Sequence, residues 1–112
     1  MKENDSDKGN AAVRLASMIG LCRRANRLGC GAAAVTDAIK TGRARLVLLS
    51  MDASERTKKQ IRDKCAYRSV PLCPLPFPGE WLGAACGMAE LSACAVLDPE
   101  FARALQALAG RL

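Results

Sequence analysis

Four consecutive aliphatic residues, Leu46-Val47-Leu48-Leu49, constrain the fold of this chain more than any other feature. Successive side chains of a β-strand point to opposite faces of the sheet, so an uninterrupted apolar run must be buried on both faces. Such a strand is typical of a parallel or mixed sheet that has helices on both sides. The run therefore predicts an α/β fold with a layer of helices on each face of a central sheet.

Helical and strand-like patterns alternate along the rest of the chain. Helical periodicity predicts helices, in chain order, over residues 11–25, 31–42, 55–66, 80–86 and 98–110. Besides the aliphatic run, strands are predicted over 70–73 and 91–97, with a short extended link over 27–30. Pro71 restricts the strand over 70–73 to an edge position or a strand start. The alternation predicts a three-layer α/β/α sandwich with a central mixed four-stranded sheet.

Apolar spacing predicts which side of the first helix faces the sheet, and polar residues predict where helices begin and end. In the first helix, the side predicted to face the sheet is marked by steps of three and four residues through Val13, Ala16, Ile19 (or Gly20) and Arg23. Leu15, Met18 and Cys22 widen this apolar face. Asn26 tolerates a left-handed conformation, so this helix is expected to end near Ala25. Either Asp52 or Ser54 is expected to cap the third helix, and Asp98 the last.

The N-terminal residues differ in character from the rest of the chain. Residues 1–10 are polar and of mixed charge, which predicts a disordered lead and a single domain over 11–112. No apolar segment approaches the roughly 20 residues that cross a bilayer, and no apolar signal region follows the first residues. A cytoplasmic protein without a membrane partner is therefore expected.

The chain contains six cysteines and no histidine. No Cys-x-x-Cys pair occurs, so a zinc site would need four scattered cysteines, and a reducing compartment disfavours disulfides. Buried thiols acting as small apolar side chains are the favoured interpretation, with structural zinc or a redox role as alternatives. No metal is predicted at Cys22, Cys30, Cys65, Cys73, Cys86 or Cys94.

The net charge of +6 is unevenly distributed. Residues 11–68 hold thirteen basic and four acidic side chains, whereas residues 69–112 hold two basic and four acidic ones. The positive charge is thus concentrated in the first half of the predicted domain. This asymmetry favours a polyanion such as nucleic acid as partner, although a solvated face that only aids solubility would also explain it.

Residues that could form a catalytic site are missing. Besides histidine, the chain lacks a glycine-rich phosphate loop and a cysteine beside a plausible base. The one candidate pair, Ser54 with Lys58, has i, i+4 spacing at a helix start and is better explained as a cap and a solvated lysine. The chain is therefore predicted not to be an enzyme and to need no cofactor.

The start of the second predicted helix, Gly31-Ala32-Ala33-Ala34, carries no bulky side chain. An RNA backbone or base edge can approach free N–H groups at the positive end of a helix. Six basic residues flank this start, namely Arg23, Arg24, Arg27, Lys40, Arg43 and Arg45. Phosphate contacts from them would give affinity without reading the base sequence. Tight packing of the three alanines against a neighbouring helix is the alternative.

A resemblance to a known family covers nearly the whole chain, from about Val13 to Leu108. Its segments, in order, are LCRRANRLGCG, AIKTGRARLVLLSMDASERTKKQIRDKC, VPLC, LGAACGMAE and AVLDPEFARAL. They resemble the kink-turn RNA-binding ribosomal protein family, in particular its short bacterial YlxQ-like branch. The resemblance implies the same α/β/α sandwich and a single ribosomal-protein-like RNA-binding domain over 11–112.

The resemblance also implies which elements bind RNA. These are the start of the second helix, over 31–37, and the apolar loop Met88-Ala89-Glu90-Leu91 before the last strand, where Met88 and Leu91 would stack against an exposed base. The implied contact residues, together with the flanking cations, are Arg23, Arg24, Arg27, Gly31, Ala32, Ala33, Ala34, Lys40, Arg43, Met88, Ala89, Glu90 and Leu91.

Three positions depart from the family pattern. Kink-turn binders carry Asn, Lys, Glu or Gln where this chain has Ala33 and Ala34, and usually Lys where it has Asp37. Alanine cannot hydrogen-bond a base edge, and a lost bidentate contact removes roughly 1–3 kcal/mol of discrimination. Asp37 would repel phosphate. Weakened kink specificity is therefore expected.

These observations predict a non-catalytic, monomeric RNA-binding protein. Its expected partner is a structured RNA, either a kink-turn or ribosomal RNA, within a ribonucleoprotein that includes ribosome-associated proteins. A protein–protein interaction module on the same scaffold, with degraded RNA binding, is the alternative, favoured by the alanines and Asp37. An enzyme is the weakest hypothesis, because a fold does not by itself imply a function.

Overall fold

The computed structural model describes the backbone of residues 2–112 and the side chains of residues 9–112. Helices and strands alternate in the predicted order, and the link over 27–30 forms a short strand. The elements are α1 (Lys2–Arg24), β1 (Leu28–Cys30), α2 (Ala32–Lys40), β2 (Leu46–Leu49), α3 (Glu55–Arg68), β3 (Leu72–Pro74), α4 (Gly79–Ala85), β4 (Ala93–Val96) and α5 (Pro99–Ala109).

The four strands form one mixed sheet in the order β1-β4-β2-β3. Strand β4 is antiparallel to both β1 and β2, whereas β2 and β3 are parallel. The two central strands, β2 and β4, are buried at every position. Strand β3 lies at the edge, as the proline predicts, because a residue without an N–H group cannot complete a ladder on both sides.

Strand β2 separates two apolar cores, one on each face of the sheet. Leu46 and Leu48 belong to the core beneath α1, α4 and α5, whereas Val47 and Leu49 belong to the core beneath α2 and α3. Strand β4 alternates in the same way, with Cys94 on the first side. The predicted α/β fold with helices on both faces of a mixed four-stranded sheet is therefore confirmed.

The sequence-based prediction of the inner face of α1 is wrong at Val13, whose side chain is 67% exposed. The buried stripe instead consists of Ala11, Leu15, Ile19 and Cys22, at steps of four, four and three residues. Both stripes fit helical periodicity, but α1 packs on α5 as well as on the sheet, and this neighbour selects the stripe that is buried.

Two boundaries also differ from the prediction. Helix α1 begins at Lys2, so the backbone over residues 2–10, predicted as a disordered lead, continues the helix. No proline interrupts this segment, and adding residues to an existing helix is easier than nucleating one. Strand β4 covers only Ala93–Val96 of the predicted 91–97, because these are the residues in register with β1 and β2. None of the helices in residues 2–112 has the length and hydropathy needed to cross a bilayer.

The helix ends follow local chemistry. Asn26 has φ 61°, and the amide of Arg27 donates to the carbonyl of Cys22 at 3.0 Å, which closes α1 with a left-handed residue. Ser54 is the residue that caps α3, since its hydroxyl oxygen accepts from the Thr57 amide at 3.1 Å. Asp98 caps α5 by accepting from the Phe101 amide at 2.9 Å.

Five of the six free cysteines, including Cys73, belong to the core beneath α1, α4 and α5 or pack against it. Cys22, Cys86 and Cys94 are buried, Cys30 packs against them, and Cys30 and Cys94 are directly paired across β1 and β4. Burial raises the pKa of the Cys22 thiol from 9.0 to about 11. Within residues 9–112, the His, Cys, Asp and Glu side chains form no group arranged to hold a metal ion.

The raised pKa of Cys22 predicts a loss of stability at alkaline pH. The folded-state pKa lies above the unfolded one, so the neutral thiol stabilises the fold below about pH 9, and this contribution is lost as the pH rises towards 11. We expect the free energy of unfolding, measured in urea with a reductant, to fall by roughly 1–3 kcal/mol more in the wild type than in Cys22→Ala over this interval. If the free energy of unfolding fell equally in the two proteins, the loss of stability would not come from the Cys22 thiol.

Candidate nucleic-acid interface

The sheet topology brings the start of α2 next to the loop that precedes β4. Because β1 and β4 are antiparallel, with Cys30 opposite Cys94, the chain leaves β1 at the point where it enters β4. The Gly31 amide donates to the carbonyl of Ala93 at 2.9 Å. This hydrogen bond places the α2 start (Gly31–Ala34) beside the α4–β4 loop (Gly87–Ser92), the two elements that the resemblance implies for RNA.

The α2 start exposes its backbone. Gly31 has φ 99° and ψ 158°, a conformation essentially restricted to glycine, and no side chain caps the helix. Ala32 and Ala33 are exposed, whereas Ala34 is half-buried near Gly29. Tight packing therefore explains only one of the three alanines. The first-turn N–H groups, which have no acceptor inside a helix, lie under two exposed methyl groups.

The α4–β4 loop rests directly on α4. The Met88 amide donates to the carbonyl of Gly83 at 2.7 Å, and the Leu91 amide donates to that of Gly79 at 3.0 Å. A Cβ atom on Gly83 would lie 2.7 Å from both the backbone nitrogen and the Cα of Glu90, closer than real Cβ contacts come. Two glycines four residues apart thus permit the contact that determines the shape of the loop.

The stacking role predicted for Leu91 disagrees with the structure. Its side chain is only 6% exposed and belongs to the apolar core, because the chain has already turned inward towards β4 at this residue. Met88 is 39% exposed, and Ala89 and Glu90 are exposed as well. Met88 is therefore the large apolar side chain of this loop that a base can reach.

Asp52 has a role that the sequence did not indicate. Its Oδ1 accepts from the Gly79 amide at 2.8 Å and lies 3.2 Å from the Ser50 hydroxyl, which donates to it. Instead of capping the adjacent α3, Asp52 satisfies the first amide of α4, 27 residues later. A carboxylate at a helix N-terminus also interacts favourably with the helix dipole. Asp52 thus connects the end of β2 to the helix that supports the loop.

The flanking cations divide into separate groups. The Arg23 guanidinium donates to the carbonyl of Cys86, so it braces the end of α1 against α4 beside the α4–β4 loop. Arg24 is exposed at the end of α1. Arg27 and Arg45 lie at the other end of the strands, since the Leu97 amide donates to the Arg27 carbonyl and the Arg45 amide donates to the Val96 carbonyl.

Lys40 and Arg43 lie at the far end of α2 from Gly31. Nine residues of helix span about 14 Å, so Arg43 is remote from a group held at the α2 start, whereas the Lys40 side chain lines a depression beside Ala32 and Ala33. The structure therefore does not bring the predicted contact residues together as one patch. It joins the α2 start, Arg23 and the α4–β4 loop, and it separates them from Arg27 and Arg43.

The basic helix α3 lies beside α2 and adds exposed charge. Two of its lysines form ion pairs within the helix, Lys58 with Glu55 at 3.5 Å and Lys59 with Asp63 at 3.0 Å. Four other cations of this helix form no ion pair within residues 9–112. These are Arg56, Arg62, Lys64 and Arg68. The face formed by α2 and α3 consequently carries more basic than acidic side chains.

Two bacterial proteins are similar to this chain in sequence. An RNA-binding protein YlxQ of Bacillus subtilis is 37% identical over 91 residues, which cover 81% of this chain and 90% of that protein. An RNA-binding protein YlxQ of Enterococcus faecium is 40% identical over 55 residues, covering 49% of this chain and 53% of that protein. These descriptions name binding proteins, in agreement with the prediction that the chain is not an enzyme.

Solved structures show the same architecture. A protein of unknown function from Bacillus halodurans superposes with a TM-score of 0.81 at 36% identity, over 86% of this chain and 96% of the other. A 15.5 kD RNA-binding protein of Giardia lamblia superposes with a TM-score of 0.71 at 17% identity, over 88% and 90% of the two chains, which shows a shared fold.

The family assignment rests on the length of the sequence match as well as on the fold. The pattern of the ribosomal protein L7Ae/L30e/S12e/Gadd45 family matches residues 13–106, from the middle of α1 to the last turns of α5. This range contains all four strands, the α2 start and the α4–β4 loop. By this match and by its bacterial relatives, the chain belongs to the ribosomal protein L7Ae/L30e/S12e/Gadd45 family.

Proposed function

We propose that this protein is a non-catalytic RNA-binding protein that holds a structured RNA, of kink-turn or ribosomal type, between the α2 start and the α4–β4 loop. The observation that carries the proposal is the hydrogen bond from the Gly31 amide to the Ala93 carbonyl, which places the two elements side by side. The descriptions of the Bacillus subtilis and Enterococcus faecium relatives as RNA-binding proteins support it.

The chemistry of the α2 start suits a phosphate group. First-turn N–H groups at a helix N-terminus carry partial positive charge and donate to anions. The exposed Ala32 and Ala33 leave room for an RNA backbone to approach these donors. Met88, on the adjacent loop, offers an apolar contact for an unstacked base. Phosphate binding by the backbone accounts for affinity.

The same surface offers few groups that read bases. Ala33 has no hydrogen-bonding side chain, and Asp37, one turn along the exposed side of α2, places a negative charge near the RNA. We infer that kink specificity is weaker than in family members with polar residues at these positions, by roughly 1–3 kcal/mol for each missing bidentate contact. The partner would then be recognised mainly by shape and charge.

An RNA of this type implies a ribonucleoprotein setting in the cytoplasm, with ribosome-associated proteins as neighbours. We propose that the protein acts there as a monomer, since one copy holds both elements of the interface. A protein–protein interaction module is the second candidate, favoured by the exposed alanines and by Asp37, which suit a protein partner as well as they suit RNA. Complexes that persist after nuclease treatment would favour the second candidate.

The experiment is a binding titration against a kinked RNA and a straight duplex of the same length, at several salt concentrations. We expect both RNAs to bind, with affinity that falls steeply with salt, and a small preference for the kinked one. Ala32→Glu, which adds a carboxylate at the α2 start, should weaken binding at least about tenfold, or about 1.4 kcal/mol. Ala107→Glu, at an exposed position of α5, is the matched control and should bind as the wild type does.

Two results would contradict the proposal. The first is an absence of binding to either RNA at low salt. The second is an equal loss of affinity in Ala32→Glu and Ala107→Glu, since the α2 start would then contribute no more than the rest of the surface. Arg27→Ala, away from the α2 start, and Lys40→Ala, in the depression beside it, should weaken binding to both RNAs uniformly if these side chains contact phosphates.

A further inference from the structure

A groove between α2 and α3 is separate from the α2 start and the α4–β4 loop. Its volume is about 320 Å3, and it is lined by Ile39, Lys40, Asp63, Lys64, Tyr67 and Arg68. At one end it continues, through Lys40, into a depression beside Ala32 and Ala33. We call it the α2–α3 groove. The groove and this depression together form a path along the protein surface that begins at the α2 start.

Tyr67 dominates the surface of this groove. Its side chain is 84% exposed, and the guanidinium carbon of the neighbouring Arg68 lies 5.7 Å from the centre of its ring. The other aromatic side chains are at least partly covered, and Phe77 and Trp81 stack on each other at 4.0 Å. The Tyr67 ring therefore contributes little to the packing of the apolar core. An exposed ring beside a cation is the arrangement on which nucleic-acid bases stack.

The charge of the α2–α3 groove is positive. Three cations line it, Lys40, Lys64 and Arg68, and none of them forms an ion pair within residues 9–112. The carboxylate that faces it, Asp63, binds Lys59 at 3.0 Å. Asp37 lies further along, in the depression beside the α2 start. The groove therefore attracts an anion, most strongly at the end that contains Tyr67.

We propose that the α2–α3 groove binds a single-stranded segment of RNA, with one base stacked on Tyr67 and with phosphates near Lys40, Lys64 and Arg68. This inference rests on the proposed function, because the segment would be the flank of the structured RNA held at the α2 start. The α2–α3 groove is continuous with the α2 start, and it combines an exposed ring with unpaired cations. These two features favour RNA over an acidic peptide. The groove would add affinity without base-specific hydrogen bonds.

The test compares three fluorescent probes by anisotropy. They are a compact kinked RNA, the same RNA with a single-stranded extension of about eight nucleotides, and the extension alone, a length within the site sizes of roughly 4–16 nucleotides known for single-strand binders. We expect the extension to tighten binding. Tyr67→Ala should lower the affinity for the extended RNA by about fivefold to a hundredfold and leave the compact RNA unchanged, whereas Tyr67→Phe, which keeps the ring, should bind as the wild type does.

Charge variants on α3 test the phosphate contacts. Arg68→Gln should reduce both the affinity for the extended RNA and the dependence of that affinity on salt. Arg62→Gln, an exposed α3 arginine that does not line the groove, is the matched control and should change both less. Because Tyr67, Arg68 and Arg62 are exposed, these variants are expected to fold, which circular dichroism checks.

The outcomes separate this inference from the proposed function. If the compact RNA binds and the extension adds nothing, or Tyr67→Ala binds the extended RNA as the wild type does, the groove is not an RNA site, although the proposed function stands. If only the single-stranded probe binds and Tyr67→Ala abolishes its binding, the groove is a site for single-stranded RNA and the proposed function fails. Binding of an acidic peptide in the groove, with no RNA binding there, would overturn the inference.

Discussion

Gly83→Ala should destabilise the protein by about 1–2 kcal/mol and weaken its binding to structured RNA about tenfold. Alanine is favoured over glycine inside a helix by up to roughly 1 kcal/mol, so α4 alone would gain stability. The new Cβ, however, would lie 2.7 Å from the Glu90 backbone. Overpacking typically costs about 1–3 kcal/mol, and here the atoms that must move belong to the backbone, so the clash outweighs the gain.

The loss of RNA binding follows from the position of the clash. To relieve it, the α4–β4 loop must move away from α4, and its hydrogen bonds to Gly83 and Gly79 must lengthen. Met88 and Glu90 would then shift relative to the α2 start. Urea unfolding measures the first effect, and RNA titration at a temperature where the variant is fully folded measures the second.

Gly9→Ala is the matched control for this substitution. Gly9 also lies inside a helix, but a Cβ atom there meets nothing within 4 Å. We expect Gly9→Ala to be at least as stable as the wild type and to bind RNA equally well. If Gly83→Ala loses stability but keeps full RNA affinity, the α4–β4 loop does not belong to the interface. If its stability is unchanged, the loop does not rest on α4 as described.

Asp37→Lys should strengthen RNA binding about tenfold or more at low salt. Asp37 is exposed on α2 and lines the depression beside Ala32 and Ala33, so a bound RNA backbone would pass close to its carboxylate. The substitution removes a repulsive charge and adds an attractive one. Each additional phosphate contact steepens the dependence of affinity on salt by nearly one unit in a logarithmic plot. Lysine is also a better helix former than aspartate, so α2 should remain folded.

Glu100→Lys is the control, because it makes the same charge change on α5, on the other face of the sheet. It should raise RNA affinity only slightly, through the net charge of the whole protein. Equal gains in the two variants would show that RNA is attracted by overall charge and not held at the α2 start. A further gain for the kinked RNA alone, when Ala33→Asn is added, would indicate that base reading can be restored.

Most of the architecture follows from local patterns. The aliphatic run of β2 predicts burial on both faces, and Leu46 and Val47 indeed lie in different cores. Asn26 has the left-handed conformation expected of it, and Asp98 caps α5. Such features depend on a residue and its neighbours within about four positions, so the sequence displays them directly.

The candidate interface was predictable only in part. The α2 start is evident from Gly31 and the alanines that follow, and its exposed side was correctly anticipated at Ala32 and Ala33. The prediction for Leu91 was wrong, since an apolar residue in a loop carries no sign of whether it faces a base or the core. Tyr67 was overlooked, because one aromatic residue in a basic helix becomes informative only when its exposure is known.

Local patterns in the sequence were enough to predict the alternating elements, the strand buried on both faces, several helix caps and the concentration of positive charge. Strand order and packing in the folded chain set which segments meet: Gly31 with Ala93, Asp52 with Gly79, and, across a tight loop, Gly83 with Glu90. Hydrogen-bonding and apolar periodicity act within a segment, whereas strand order and close backbone contacts depend on how whole segments pack. The candidate interface depends on contacts of the second kind. Asp52 and Gly79 are 27 positions apart, and Gly31 and Ala93 are 62 positions apart.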